Sequence, residues 1–376
     1  MIYLDNSATT PLDPRVLQAM LPWLQDGYGN ASSIYELGRS ARVAIEHARK
    51  VVAESIHAHP AEITFTSGGT ESNNAVLRSC LGESHLANTL VVSATEHHAV
   101  LAPAEYLHSI GANVHVAPVN AQGRVRPEDL AAYNTPATLI SVMHANNETG
   151  VIQPLSQIRT TCPNIYLHTD AVQSFGKIPV NVSELGVDFL TMSAHKIHGP
   201  KGVGALFIRK GIDFKAHQVG GGQERNRRAG TEPVALIVGF AEAVRLAIEE
   251  QERNRSHMQE LVNVAREIIV AEIPGVHVNT PDEERLPNIL NVSFTDAEQL
   301  DGEAILQRMD MMGVAVSNGS ACVSGSLQPS HVLLAMGRPA AEAKAAVRIS
   351  VSRQNTLEEI RSAVTILSDV MRKLRV

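Results

Sequence analysis

A lysine that follows a buried strand, among small and polar residues, is placed to become a nucleophilic amine. In this chain the stretch is Ser193-Ala194-His195-Lys196-Ile197-His198-Gly199-Pro200-Lys201-Gly202, preceded by the apolar run Phe189-Leu190-Thr191-Met192. Partial desolvation disfavours the ammonium form of Lys196 and suits its amine to a Schiff base with an aldehyde cofactor. Asp170 ends another strand-like run at 165–170. If the two strands are parallel neighbours, Asp170 and Lys196 emerge at the same C-terminal edge, where open α/β sheets place ligands. A carboxylate there can keep a heteroaromatic cofactor nitrogen protonated and make the ring a better electron sink. Taken alone, Asp170 equally suits a helix N-cap.

Further motifs follow other strand-like runs. Ser67-Gly68-Gly69-Thr70-Glu71-Ser72-Asn73 opens a helix after the run at 63–66. Its glycines permit close backbone approach, and free amides at a helix start attract phosphate; an ordinary βα turn reads the same way. Thr95-Glu96-His97-His98 follows the run at 89–93, where an imidazole can stack on a flat ring and move protons near neutral pH. His144-Ala145-Asn146-Asn147-Glu148-Thr149-Gly150 follows the run at 138–143, and its amides suit either a cofactor oxygen or a turn. Gly220-Gly221-Gly222-Gln223-Glu224-Arg225 leads into Arg228-Ala229-Gly230-Thr231-Glu232-Pro233, a weak anion-site signal. Arg348, on a strand-like run, suits bidentate capture of a carboxylate or a structural salt bridge. Of the three cysteines, Cys80 and Cys162 have apolar neighbours and read as packing residues. Cys322 lies in Ser317-Asn318-Gly319-Ser320-Ala321-Cys322-Val323-Ser324-Gly325-Ser326, a run of small polar residues that reads as a loop presenting a thiol.

The elements that must position these residues alternate. Strand signals at 63–66, 89–93, 114–119, 138–143, 165–170, 189–194 and 203–209 are mostly separated by segments long enough for a helix or crossover. That rhythm predicts a mainly parallel α/β sheet covered on both faces, with the last two strands pairing as an antiparallel edge. Asp13 and Pro14 mark a helix start whose Val16, Leu17, Met20, Leu21 and Leu24 form an apolar face. A second helix is expected from Glu36 to Ile56 with Leu37, Ala41, Ala44, Ile45, Ala48 and Val52 inward, and one long charged helix from Pro233 to Ile273. Beyond Pro274-Gly275, strands at 288–294 and 346–352 with helices near 301–312 and 356–374 predict a smaller α+β domain.

Composition bounds the remaining choices. At 376 residues, 44% hydrophobic and 19% charged, the chain is an ordinary globular sequence with room for two domains. A net charge of −7 argues against a broad footprint for nucleic acid or anionic membrane. No apolar run approaches a membrane span, and the N-terminus does not read as a signal peptide. Three unpaired-looking cysteines fit a reducing cytoplasm, and none has a partner at metal-ligand spacing.

Together these segments resemble the cysteine desulfurases of the NifS/IscS type, within the fold-type I, class V aminotransferase-like enzymes that use pyridoxal 5'-phosphate. The resemblance runs from Tyr3-Leu4-Asp5-Asn6-Ser7-Ala8-Thr9-Thr10 to Arg348-Ile349-Ser350 through the motifs at Ser67, Asn146, Asp170, Ser193 and Gly319. It implies an α/β transferase of fold type I, with a large, mostly parallel seven-stranded sheet domain over 14–257. A smaller α+β domain over 258–376 would carry the cysteine loop at about 317–328, and residues 1–13 would join it.

The resemblance also implies roles. Lys196 would form the Schiff base, Asp170 would pair with the pyridinium nitrogen, and Gln173 and Asn147 would lie near the ring's phenolic oxygen. Gly69, Thr70, Ser193 and His195 would hold the phosphate, with Thr231 reaching it from the other subunit of a homodimer. His97 would stack on the ring and assist proton transfers. Arg348 would take the substrate carboxylate, with Asn30 and Asn147 on the substrate side. Cys322 would accept sulfur from L-cysteine, leaving alanine and an enzyme persulfide. A thiol's ordinary pKa of about 8.5 leaves little thiolate at neutral pH, so a proton acceptor such as His97 is expected. The persulfide would pass to an acceptor protein such as an iron-sulfur scaffold, or serve thio-cofactors or tRNA.

Two departures from the family's pattern stand out. Ala31 replaces a usual proline and Tyr35 follows where a histidine is common, and the chain stops at Val376 without the longer tail that contributes to scaffold binding in housekeeping relatives. Three rivals are a selenocysteine lyase, another class V aminotransferase-type enzyme and a non-catalytic sulfur-relay protein. Retention of Lys196, Asp170 and Cys322 together weighs against the last.

Overall fold

The computed structural model describes residues 1–81, 86–319 and 328–375. Its strands are β1 (Ile2–Tyr3), β2 (Ile63–Thr66), β3 (Thr89–Ser93), β4 (Asn113–Ala117), β5 (Thr138–Ser141) and β6 (Tyr166–Asp170). They continue as β7 (Phe189–Ser193), β8 (Gly204–Ile208), β9 (Val276–Val278), β10 (Ile289–Phe294), β11 (Val314–Ala315) and β12 (Val347–Ser350). β2 to β8 form one seven-stranded sheet in the order β2-β8-β7-β6-β5-β3-β4. β4, β3, β5, β6 and β7 run parallel, and β8 is antiparallel to both β7 and β2.

The expected antiparallel pair is therefore present, but β8 lies inside the sheet and β2 forms the edge. The absence of a side chain at Gly204 makes that placement possible. A Cβ there would come within 2.5 Å of Met192 O and 2.8 Å of Gly68 Cα. Because two antiparallel steps restore direction, β2 ends on the same side of the sheet as β7.

Alternation along each strand divides the apolar residues between two layers. Val91, Ile140, Leu167, Leu190 and Phe207 pack with Ile45, Val52, Ile237 and Phe240 from the helices Glu36–Glu54 and Val234–Glu249. Leu90, Val92, Leu139, Phe189 and Leu206 pack with Val76, Leu77, Val100 and Leu107 from the helices Gly69–Leu81 and His98–Ser109 on the opposite face. With both faces covered, every loop carrying chemistry is left at the strand ends.

A separate core joins Leu4 to Met258, Leu261 and Ile269, to Val292 of β10 and Val347 of β12, and to Ile360, Val364 and Leu367 of the helix Leu357–Leu374. β9, β10 and β12 form its three-stranded antiparallel sheet, and β1 pairs in parallel with β11. β9, β11 and the short β1 carried too few residues to signal themselves as strands.

Three local expectations change. Helix 233–273 is two helices, Val234–Glu249 and Gln251–Glu272, meeting at Glu250, whose carboxylate takes Arg15 at 2.8 Å and Arg353 at 3.3 Å. The first helix feeds the large sheet's core and the second feeds the separate core, so one straight rod would not serve both. In the helix Pro14–Gln25, capped by Asp13 Oδ1 on Arg15 N, Val16 and Met20 face inward while Leu17 and Leu24 are exposed. Leu37 is likewise exposed, although Ala41, Ile45, Ala48 and Val52 are buried. These leucines lie on stripes adjacent to the buried ones, which apolar spacing alone does not distinguish. Among the described residues no helix is long and apolar enough to cross a membrane.

Candidate functional site

Five strand ends converge on a cavity of about 280 Å³. Gly69, Thr70, His97, Asn147, Asp170, Gln173, Ser193, His195 and Lys196 all line it, together with Ala8, Asn73 and Met143. Nine residues expected from separate motifs therefore meet in one place. The parallel β6–β7 pairing sets Asp170 beside Thr191, and Lys196 follows from the 3₁₀ turn Ala194–Lys196 just after β7.

Asp170 faces the cavity and closes a turn after β6; no helix begins there for it to cap. Its Oδ1 accepts from Val172 N at 2.9 Å, closing the turn after β6. Its Oδ2 accepts from Asn73 Nδ2 at 2.7 Å, so the carboxylate is oriented from both sides. Asn73 is a cavity residue that the motif around Gly68-Gly69 does not by itself single out. The signal lay in its spacing: it shares the inward face of its helix with Val76 and Leu77 at i+3 and i+4.

Lys196 Nζ donates to the carbonyls of Ser7 and Ala8, the latter at 2.6 Å. The N-terminal segment therefore closes one wall of the cavity. Burial, then the Arg348 charge, lowers the amine to about 8, against smaller opposing effects of Asp5 and Asp170. His195 falls to about 4, first by burial and then by Lys196, Lys201 and Lys177. A second cavity of about 40 Å³ behind Lys196 is bordered by Lys177. Lys177 Nζ donates to Gln173 O at 2.7 Å, and the amine is lowered to about 7 by burial and then by Lys196. Nothing in its Gly-Lys context marked Lys177 as buried.

His97 is the N-cap of the helix His98–Ser109, and its Nδ1 accepts from Ala99 N at 3.0 Å. Burial is the main cause that lowers its pKa, and Lys196, His98 and His331 add to it while Asp170 opposes. With Nδ1 committed to the cap, the neutral ring carries its proton on Nε2 and is a donor there. The expected acceptor for a thiol proton is thus already engaged at its lone pair.

Arg348 is buried beside the cavity rather than lining it. Nη2 donates to Asp5 Oδ1 at 2.6 Å and Nη1 to Asn147 O at 2.9 Å, while Nε has no partner among the described residues. Asn30 and Thr231 are exposed on the single chain and do not line the cavity. Asn30 Oδ1 accepts from Ser32 N at 2.9 Å; Ala31 is buried and Tyr35 is exposed. Cys322 lies outside the described residues. Cys80 and Cys162 are buried, as their apolar neighbours implied, and burial raises both thiols.

Several features fit a polar, phosphorylated ring in this cavity. Gln173 Oε1 and Asn73 Oδ1 are buried acceptors with no partner among the described residues. Gly69 opens its helix at the wall, where a Cβ would lie 2.9 Å from Val172 Cγ2. Lys196 supplies positive potential, the helix start at Gly69 supplies free amides, and Asp170 supplies an oriented carboxylate.

The model of the aminotransferase class-V family matches residues 2–362. A cysteine desulfurase IscS of Dictyoglomus turgidum is 46% identical over 378 residues, covering 100% of this chain and 95% of that relative. A cysteine desulfurase IscS of Methanosarcina thermophila is 42% identical, covering 100% of this chain and 93% of the relative. A solved NifS-like protein superimposes with a TM-score of 0.90 at 37% identity, covering 99% of both chains.

Proposed function

This chain belongs to the class-V aminotransferase family, and on that premise we propose that it works as a pyridoxal-phosphate-dependent cysteine desulfurase converting L-cysteine to L-alanine. The observation that carries the reading is the meeting of Lys196, Asp170 and the phosphate turn Gly69–Thr70 in one cavity. Bound there, pyridoxal phosphate supplies an electron-accepting ring for the charge left when the substrate's Cα–H bond breaks.

The chain's own residues divide the rest of the work. Lys196 holds the cofactor through its amine and, once released, takes the α-proton at Nζ. A pKa of about 8 leaves a useful fraction of free amine near neutrality. Asp170, oriented by Asn73 and Val172 N, holds a proton on the ring nitrogen. Gln173 and Asn147 contact the ring's polar substituents, and Gly69, Thr70, Ser193 and His195 hold the phosphate. His97 would lie against the ring and offer a hydrogen bond from Nε2–H.

Arg348 takes the substrate carboxylate, for which its Asp5 partner must make room; Asn147 and Asn30 complete the substrate side. The Cys322 thiolate attacks the substrate sulfur. A sulfur–sulfur bond forms, the substrate's carbon–sulfur bond breaks, and its electron pair returns to the carbon skeleton that becomes alanine. The enzyme persulfide passes to an acceptor protein, such as an iron-sulfur scaffold.

The active form is a homodimer in which Thr231 reaches the partner's cofactor phosphate. Support comes from the exposure of Thr231 and of an apolar set, Leu17, Leu24, Ile34 and Leu37, that a second copy would cover. We assign residues 14–257 to the cofactor domain and 258–376, joined by 1–13, to the small domain. The two separate cores support that division.

The test incubates purified protein and Lys196→Ala with L-cysteine, measuring alanine and sulfide. Equimolar alanine and sulfide from the wild type, lost in the variant, is the expected result. Alanine formation that survives in Lys196→Ala would defeat the assignment.

A further inference from the structure

The phosphate turn is supported from outside the cavity by a distant segment of the chain. β2 is an edge strand, so one row of its backbone groups has no neighbouring strand. Side chains take that place. Arg49 Nη1 donates to Ile63 O at 2.9 Å, and Phe65 N donates to Glu224 Oε2 at 2.8 Å. Arg49 and Glu224 also pair with each other, Nη1 to Oε2 at 2.6 Å and Nη2 to Oε1 at 2.8 Å. Both side chains are almost wholly buried, and this ion pair stands where an eighth strand would lie.

Immediately after β2 a second pair continues the support. Ser67 N donates to Glu71 Oε2 at 2.8 Å, drawing the start of the turn onto its own helix. Arg228 grips the same carboxylate, Nε to Oε1 at 2.9 Å and Nη2 to Oε2 at 3.2 Å. Burial raises the Glu71 pKa, but the hydrogen bonds from Arg228 and Ser67 outweigh it and hold the carboxylate below its ordinary range. Between the two anchors, Glu224, Arg225 and Asn226 stand consecutively at φ 46°, 57° and 61°. Side-chain-bearing residues keep that conformation only where their surroundings over-determine it. Three residues past Arg228 is the exposed Thr231.

We propose that the Arg49–Glu224 and Glu71–Arg228 pairs form a splint that holds the phosphate turn at residues 67–70 and the Thr231-bearing segment as one body. Arg228 and Glu224 are then positioning residues for cofactor affinity, although neither lines the cavity. The proposal rests on the cofactor reading above. A flexible turn must lose conformational freedom when it closes on a phosphate, whereas a splinted one has lost it beforehand. The three strained residues and the buried pair have no role in the chemistry itself, and pre-ordering gives them one.

The test titrates apoprotein with pyridoxal phosphate, following its visible absorbance, for the wild type, Arg228→Gln, Glu71→Gln, the double variant and Arg228→Lys. Each single variant is expected to weaken affinity about tenfold, as loss of one charge-assisted link implies. The double variant should be no weaker than either single, since each already breaks the same link. Arg228→Lys should recover part of the loss. Hydrogen exchange on the apoproteins should quicken at Ser67 and across 222–231 in Arg228→Gln, a readout independent of turnover. Wild-type affinity in both single variants, or losses that simply multiply in the double, would overturn the splint. Failure of the cofactor reading has a different signature: the wild type itself would give no saturable absorbance change, and the splint would fall with it.

Discussion

Asn73 Nδ2 lies 2.7 Å from Asp170 Oδ2, across 97 residues of chain, and holds the carboxylate that faces the cavity. An amide there aims the Asp170 carboxylate, because it donates to one oxygen and carries no charge of its own. A hydrogen bond to a charged group contributes about 1.5–3 kcal/mol. Asn73→Ala should therefore lower kcat/KM for alanine formation by about tenfold or more. Asn73→Asp should be worse, since two carboxylates would then meet. Wild-type kinetics in both would remove Asn73 from the site.

Cys322 is where the chemistry narrows to sulfur. Cys322→Ala should retain the cofactor's visible absorbance and its change on adding L-cysteine, yet lose sulfide release. Undiminished sulfide turnover would show that another group accepts the sulfur.

Lys177 should make the apoprotein's stability depend on pH. Its folded pKa is about 7 against an ordinary 10.5, with burial the main cause. The unfolded chain therefore binds a proton that the folded chain gives up between those values, and stability rises with pH through that window. Below about pH 7 the penalty of burying the ammonium is felt in full. Lys177→Met should thus be relatively most stabilising near pH 6 and lose its advantage towards pH 10, where the lost bond to Gln173 O remains as a cost. Urea melts at several pH values measure this; a pH-independent difference would contradict it.

The buried Arg49–Glu224 pair should be intolerant of one-sided removal. Arg49→Ala leaves Glu224 uncompensated and the Ile63 carbonyl without its donor, at a cost of about 3–5 kcal/mol. Arg49→Met with Glu224→Met should recover only part, because Phe65 N and Ile63 O stay unpaired. Denaturant unfolding of the two variants would distinguish this from a pair that is merely neutral.

Arg348 should govern substrate affinity. Arg348→Ala is expected to raise KM for L-cysteine about tenfold to a hundredfold, because a charge-assisted bidentate contact is lost. Asp5→Asn frees the guanidinium from its 2.6 Å partner and should lower KM instead. An unchanged KM in both would place the carboxylate elsewhere.

Most of the cavity was legible because its residues stand immediately after strands. In a parallel sheet all such positions share one edge, so Asp170, Lys196, His97 and Asn147 could be brought together from chain order and strand direction alone. The alternating apolar layers were legible for the same reason, since a strand's period of two assigns its faces locally. The meeting of the Lys196 amine and the Asp170 carboxylate at one sheet edge was readable from the order of the strands.

Other features depended on which distant atoms met. Asn73 turns towards Asp170, Lys177 is buried behind Lys196, and His97 spends Nδ1 on Ala99 N; each is settled by tertiary contacts rather than residue type. The interior position of β8 followed from a close approach at Gly204 that no periodicity records. Likewise, an edge strand's unpaired groups do not name their partners, and only the folded chain brings Arg49 and Glu224 to β2. Local pattern determined the kinds of group at the sheet edge; long-range packing decided their orientation, ionisation and support, because those depend on burial and neighbours that chain order does not contain.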